Sequence, residues 1–191
     1  MKNKIFGVTL FIVIIAIIGG IVYFLRDKKS IGKEIDSYKN VAVHYNGVVY
    51  TKAYGKNYSK DGYYYGQKWQ CVEYIKRFYY DAKVHKMPDV FGHAKDFFDS
   101  KIPQGELNPL RNLIQYRNGE DVKPEPDDLI VFTDTKYGHV AIVTEVGSDY
   151  IEVIQQNIYG KTREVYTLRT EGSKYFVGNE KKPAGWLRKE E

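Results

Sequence analysis

A single thiol and an imidazole sixty-eight positions apart are the residues of this chain best suited to chemistry. Cys71 is the only cysteine and lies in Gln70-Cys71-Val72-Glu73-Tyr74; His139 lies in Gly138-His139-Val140-Ala141-Ile142-Val143. A lone cysteine has no partner for an internal disulfide or a thiolate metal site, which leaves a small buried hydrophobe or a nucleophile. At the start of a helix, free N–H groups and the positive end of the dipole favour the thiolate, and a nearby imidazolium favours it further. Such a histidine serves as general base and later protonates a leaving amine. Backbone N–H groups at the helix start can hold an oxyanion, as can a side-chain amide directly before the cysteine, here Gln70. A third polar residue usually orients the imidazole, and Gln155 or Asn157 can return to the level of His139 from the end of a neighbouring strand.

The elements that must position these groups are legible as a helix-rich first part and a strand-rich second part. Val72, Ile75, Phe78, Tyr79 and Ala82 recur at spacings of 3 and 4, so Cys71–Ala82 reads as an amphipathic helix. Val41–Tyr45 and Val48–Thr51 read as a hairpin around Asn46-Gly47. A short helix is expected over His93–Asp99, and Leu110–Tyr116 fits helix or strand. Asp128–Phe132, His139–Val146, Tyr150–Gln155, Arg163–Leu168 and Tyr175–Val177 are short apolar or alternating runs punctuated by glycine, the pattern of an antiparallel meander. Helices followed by a meander make the fold class α+β.

The N-terminus reads differently. Ile5–Leu25 is a run of twenty-one residues without a charge, long enough to span a hydrocarbon core and followed by no cleavage site. The expected organisation is a flank at 1–4, a transmembrane anchor at 5–25, a juxtamembrane linker at 26–40 and one domain at 41–188. Lys2 and Lys4 on one side and Arg26, Lys28 and Lys29 on the other balance too closely for the positive-inside rule to set the orientation. Of 29 Lys and Arg, five lie in residues 1–30, against one of 24 Asp and Glu, so the remainder is near neutral. Its basic residues are interleaved with acids and form no stripe, which argues against nucleic acid. His44, His85 and His93 have no i, i+4 partner and there is no second cysteine, so neither metal nor cofactor is expected.

Four segments carry a resemblance: Trp69-Gln70-Cys71-Val72-Glu73, Asp128–Phe132, Gly138–Val143 and Gln155-Gln156-Asn157. In order and spacing they resemble the CHAP amidohydrolases, within the NlpC/P60-like, papain-like cysteine peptidases, over roughly residues 40–188. Lys68-Trp69-Gln70-Cys71-Val72-Glu73, the Gly-His-Val-Ala strand and the late Gly185-Trp186-Leu187 are similar to the amidase domain of glutathionylspermidine synthetase/amidase. The resemblance implies helices packed on an antiparallel sheet, Cys71 as nucleophile and His139 as base. It further implies an oxyanion site formed by Gln70 and the Cys71 amide. One departure stands out: the family commonly has Glu-Gln-Asn where this chain has Gln155-Gln156-Asn157, so the third member is Gln155 or Asn157 and lacks a charge.

The reading is therefore a cysteine amidohydrolase working through an acyl-enzyme. An anchor with the domain outside the membrane points to peptidoglycan peptides. A cytosolic domain points to a small soluble amide of the glutathionylspermidine kind. The missing glutamate raises a third alternative, a catalytically weakened binding module. Glu73 and Arg77, on the nucleophile's helix, either contact substrate or lie on a solvated helix face.

Overall fold

The computed structural model describes residues 2–190, with side chains from residue 11 onward. Helix α1 covers Lys2–Ser30. No helix among the described residues is long and apolar enough to cross a membrane. This overturns the single-pass anchor at 5–25, and with it the membrane localisation. Residues 5–10 of that run lie outside the described side chains. The last turns of α1 contact the rest of the chain. The Tyr45 hydroxyl donates to Asp27, and the Tyr23 and Tyr159 hydroxyls are bonded at 2.6 Å.

The segment read as a tether continues α1 to Ser30 and then forms strand β1 (Glu34–Tyr38), antiparallel to β2 (Val41–His44). Lys39 and Asn40 between them have φ of 48° and 63°, the two positive angles a tight hairpin turn needs. The hairpin expected around Asn46-Gly47 is therefore displaced toward the N-terminus, and residues 48–51 form no strand. A second hairpin, β3 (Lys56–Tyr58) and β4 (Tyr64–Gln67), leads into helix α2 (Cys71–Lys83). The helix expected over 93–99 is one 3-10 turn, Ala94–Phe97.

The remaining strands are β5 (Glu106–Asn108), β6 (Leu113–Arg117), β7 (Leu129–Phe132), β8 (His139–Val146), β9 (Tyr150–Ile154), β10 (Arg163–Glu171), β11 (Lys174–Val177) and β12 (Gly185–Arg188). They form an eight-stranded sheet in the order β11-β10-β9-β8-β7-β12-β6-β5, with antiparallel neighbours throughout. The segment 110–116, open between helix and strand, thus resolves into β6. Alternate residues of β7 and β8 feed two cores. Leu129, Val131, Val140 and Ile142 pack with Tyr74, Ile75 and Phe78 of α2. Ile130, Phe132, Ala141 and Val143 pack with Tyr166 and Trp186 on the other face. Burial on both faces explains why these strands are apolar runs without alternation.

This packing sets the C-terminal half of the site. The turn into β8 places Gly138 at φ +70°, where a Cβ would come within 2.5 Å of the Lys95 nitrogen and 2.6 Å of the Phe132 oxygen. The 3-10 turn thereby packs against the residue that precedes His139, and only glycine fits there. Gly138→Ala is expected to cost about 3 kcal/mol, combining strain at positive φ with a backbone clash. Urea unfolding measures it, and a loss below about 0.5 kcal/mol would contradict this packing.

Candidate active site

Gln70 sits just before α2 in an extended conformation, which makes Cys71 the first residue of the helix. The Cys71 thiol is half-buried. Burial pushes its pKa up to about 11, although the backbone N–H groups of Val140, Val72 and Cys71 itself pull the other way. The Val140 amide belongs to the peptide that joins it to His139, so the start of α2 and the start of β8 meet at the thiol. His139 is driven down to about 4 by burial and pulled back up by the Gln155 side chain. Both shifts favour a neutral thiol beside a neutral imidazole.

The amide of Gln155 faces the imidazole: His139 Nε2 and Gln155 Oε1 are 2.9 Å apart. Gln155 itself is buried, and its Nε2 donates to Glu164 Oε2 at 3.2 Å. Asn157, the other residue considered for orienting the ring, makes its bonds elsewhere. Its Nδ2 donates to Gln70 Oε1 at 2.6 Å and to the Tyr50 carbonyl at 2.8 Å, and its Oδ1 accepts from Asn46 Nδ2 at 2.6 Å. It braces the loop before β3 and the residue before the cysteine.

Gln70, expected at the oxyanion site, is occupied. Its Nε2 donates to the Lys52 carbonyl at 2.8 Å and to the Tyr50 carbonyl at 3.2 Å, which uses both of its hydrogens. A substrate oxygen can reach this amide only after the loop carbonyls leave it.

Glu73 and Arg77 are neither at a substrate surface nor on a solvated face. Glu73 is fully buried and accepts from Asn57 Nδ2 at 2.7 Å, Arg77 Nε at 2.8 Å and Gln156 Nε2 at 2.7 Å. Arg77 reaches on to His44 Nδ1 at 3.3 Å, and His44 stacks on Trp69 with centroids 4.1 Å apart. Fully buried and already accepting three bonds, the carboxylate is closed to a ligand. The i, i+4 spacing of Glu73 and Arg77 is the pattern of a surface pair; Asn57 and Gln156 are what bury it. Sequence reasoning missed Asn46, Gln156 and Glu164 as members of this surrounding shell. Only the run Gln155-Gln156-Asn157 offered a signal, through three consecutive amides at a strand end.

The model of the CHAP domain family matches residues 61–157. Trypanothione synthetase of Crithidia fasciculata is 34% identical over 106 residues, which are 54% of this chain and 16% of that protein. Bifunctional glutathionylspermidine synthetase/amidase of Escherichia coli (strain K12) is 31% identical over 105 residues, 51% of this chain and 16% of that protein. Glutathionylspermidine synthase of Crithidia fasciculata is 27% identical over 139 residues, 64% and 19% of the respective chains. This chain thus spans less than a fifth of the length of each of these relatives.

Two outcomes are expected from this geometry. Glu73→Ala leaves the Arg77 guanidinium buried without its partner and should destabilise the fold by about 3–5 kcal/mol, read from a chemical denaturation midpoint. Alkylation of Cys71 by iodoacetamide, followed by mass, should climb continuously from pH 6 toward the thiol value of about 11. A preformed thiolate–imidazolium pair would instead give a plateau between about pH 5 and 8.

Proposed function

Because the chain belongs to the CHAP domain family, we propose that it is a cysteine-dependent amidohydrolase with Cys71 as nucleophile and His139 as base. The observation that carries the proposal is the thiol at the first turn of α2, set against the His139–Val140 peptide, with the far ring nitrogen held by Gln155. Nδ1 is then the nitrogen left to take the thiol proton. Neither group needs to be charged at rest.

In the proposed reaction, His139 Nδ1 accepts the proton of Cys71 as the sulfur attacks the amide carbonyl carbon. The carbonyl electron pair moves to oxygen, where the first-turn N–H of Cys71 stabilises it. Gln70 adds its Nε2 once Tyr50 and Lys52 release it. Collapse expels the amine, which takes the proton from the imidazolium, and leaves a thioester on Cys71. Water then adds to the thioester with His139 again as base, giving the carboxylic acid and the free thiol. Gln155 orients the ring throughout, as a neutral amide can.

For the substrate, we favour an amide joining a peptide carboxyl to an amine, of the glutathionylspermidine kind. Two considerations support this. Relatives named for glutathionylspermidine chemistry are 31% identical over 105 residues and 27% identical over 139 residues. The cell-wall alternative drew its weight from a membrane anchor, which the described helix does not provide.

The test is incubation of the full 191-residue chain with glutathionylspermidine and, separately, with purified muropeptides, with products identified by mass. Release of glutathione and spermidine is the expected result, and cleavage of muropeptides alone would replace the substrate assignment. Cys71→Ala should abolish turnover with the fold intact, and Cys71→Ser should be nearly inactive because a hydroxyl is far less ionised. His139→Ala should lose activity comparably, without adding to the loss from Cys71→Ala. A few per cent of residual activity in Cys71→Ala would remove Cys71 as the nucleophile.

A further inference from the structure

We propose that Glu164 is a positioning residue that fixes which way the Gln155 amide faces and, through it, which nitrogen of His139 carries the proton. The inference rests on the Cys71–His139 reading above and extends it by one residue. Gln155 lies just beyond β9 and its backbone N–H donates to the Thr162 carbonyl at 2.8 Å. Glu164 pairs with Val153 across the same two strands, which sets Gln155 and Glu164 diagonally on one face. The contact follows: Gln155 Nε2 to Glu164 Oε2 at 3.2 Å.

A glutamine side chain is nearly symmetric in shape, so its partners decide its orientation. On one side stands a carboxylate. Burial would raise its pKa, but the bonds from Gln155 and from the Tyr166 hydroxyl, the latter at 3.1 Å, together with the charges of Lys161 and Lys181, outweigh that and keep it ionised. An ionised carboxylate only accepts, so it must face the NH2 group. That turns the Gln155 oxygen toward His139, and an oxygen that only accepts requires a proton on Nε2. The neutral ring is then left with a lone pair on Nδ1, the form that can take a proton from a thiol. With the amide reversed, its NH2 would face the ring, the proton would move to Nδ1, and the base would be blocked. An acid two strands from His139 thus imposes what a glutamate at position 155 would impose directly.

The other charged and titratable groups around the relay are few. Lys161 Nζ lies 3.6 Å from Glu164 Oε1, Tyr166 donates to the same carboxylate, and Lys181 and Asp134 act on His139 electrostatically in opposite directions. None of them offers Gln155 an alternative acceptor through the bonds described.

The experiment uses the full chain labelled with 15N. Long-range proton–nitrogen correlation at pH 7 reports the His139 tautomer, and iodoacetamide alkylation reports the reactivity of Cys71. The parent protein should show His139 protonated on Nε2. Glu164→Leu removes the acceptor, and should give a mixture of tautomers and alkylation slower by about tenfold, the lower end for loss of an orienting partner. The double variant Gln155→Glu/Glu164→Leu carries the charge one step closer to the ring, and should restore both the Nε2–H tautomer and the alkylation rate. A merely structural Glu164 would not be rescued this way.

Parental tautomer and alkylation in Glu164→Leu would overturn the relay, as would failure of the double variant to recover. His139→Ala separates this from the underlying reading. Unchanged alkylation of Cys71 in that variant would overturn the dyad itself. Slowed alkylation there, together with a silent Glu164→Leu, would overturn only the role of Glu164.

Discussion

The buried carboxylate of Glu73 fixes the site, because three different parts of the chain converge on it. It lies one turn into α2, two residues after Cys71, and its oxygens are taken by Arg77 of the same helix, Asn57 of β3 and Gln156 beyond β9. Gln156 in turn donates to the Gln70 carbonyl at 3.0 Å and accepts from the His44 amide at 2.8 Å. Its immediate neighbours are Gln155, which holds His139, and Asn157, which holds Gln70. One ionic hydrogen-bonded node therefore sets the height of Cys71, the Gln155 amide and Gln70 together. A charge buried this completely is tolerable only when every partner is present. The half-assembled site is correspondingly unfavourable.

The parts of this arrangement that depend on local chemistry are readable from the chain. Helix α2 begins at Cys71 because an apolar stripe starts there, and β7, β8 and β12 follow from Leu129–Phe132, His139–Val143 and Gly185–Leu187. The Gln155 contact with His139 could be anticipated because adjacent strands bring their ends together. The roles of Glu73 and Arg77 could not. Their spacing describes a helix-surface pair, and only Asn57 and Gln156, distant in sequence, turn that surface inward. Glu164 is hidden for a related reason: its relation to Gln155 depends on the register of β9 against β10, where a slip of one residue would send it to the opposite face.

The misplaced hairpin has a definite origin. Asn46-Gly47 carries the usual composition of a tight turn, yet the turn that forms is Lys39-Asn40, at positive φ in both residues. Asn46 is instead buried, with its side chain between Asn157 and the Tyr50 carbonyl. Long-range amide contacts captured the residue that local propensity assigned to a turn. The strand pairing then moved back along the chain into the segment read as a tether. For the apolar N-terminal run, composition suggested a span, whereas no helix among the described residues is long and apolar enough to cross a membrane.

The bonds from Gln70 to the Tyr50 and Lys52 carbonyls have a consequence for how a substrate enters. An amide carbonyl arriving at this side chain would meet a donor already satisfied by carbonyls of the same chemical kind. Binding at that position is an exchange of one acceptor for another, with little net gain in hydrogen-bond energy. The loop is in effect a tethered competitor whose local concentration does not dilute. Affinity for the proposed substrate would then come from groups remote from the scissile bond. Under the proposed function, an amide lacking those groups would leave the competitor in place, and the protein's own backbone would act as a filter against short or generic amides.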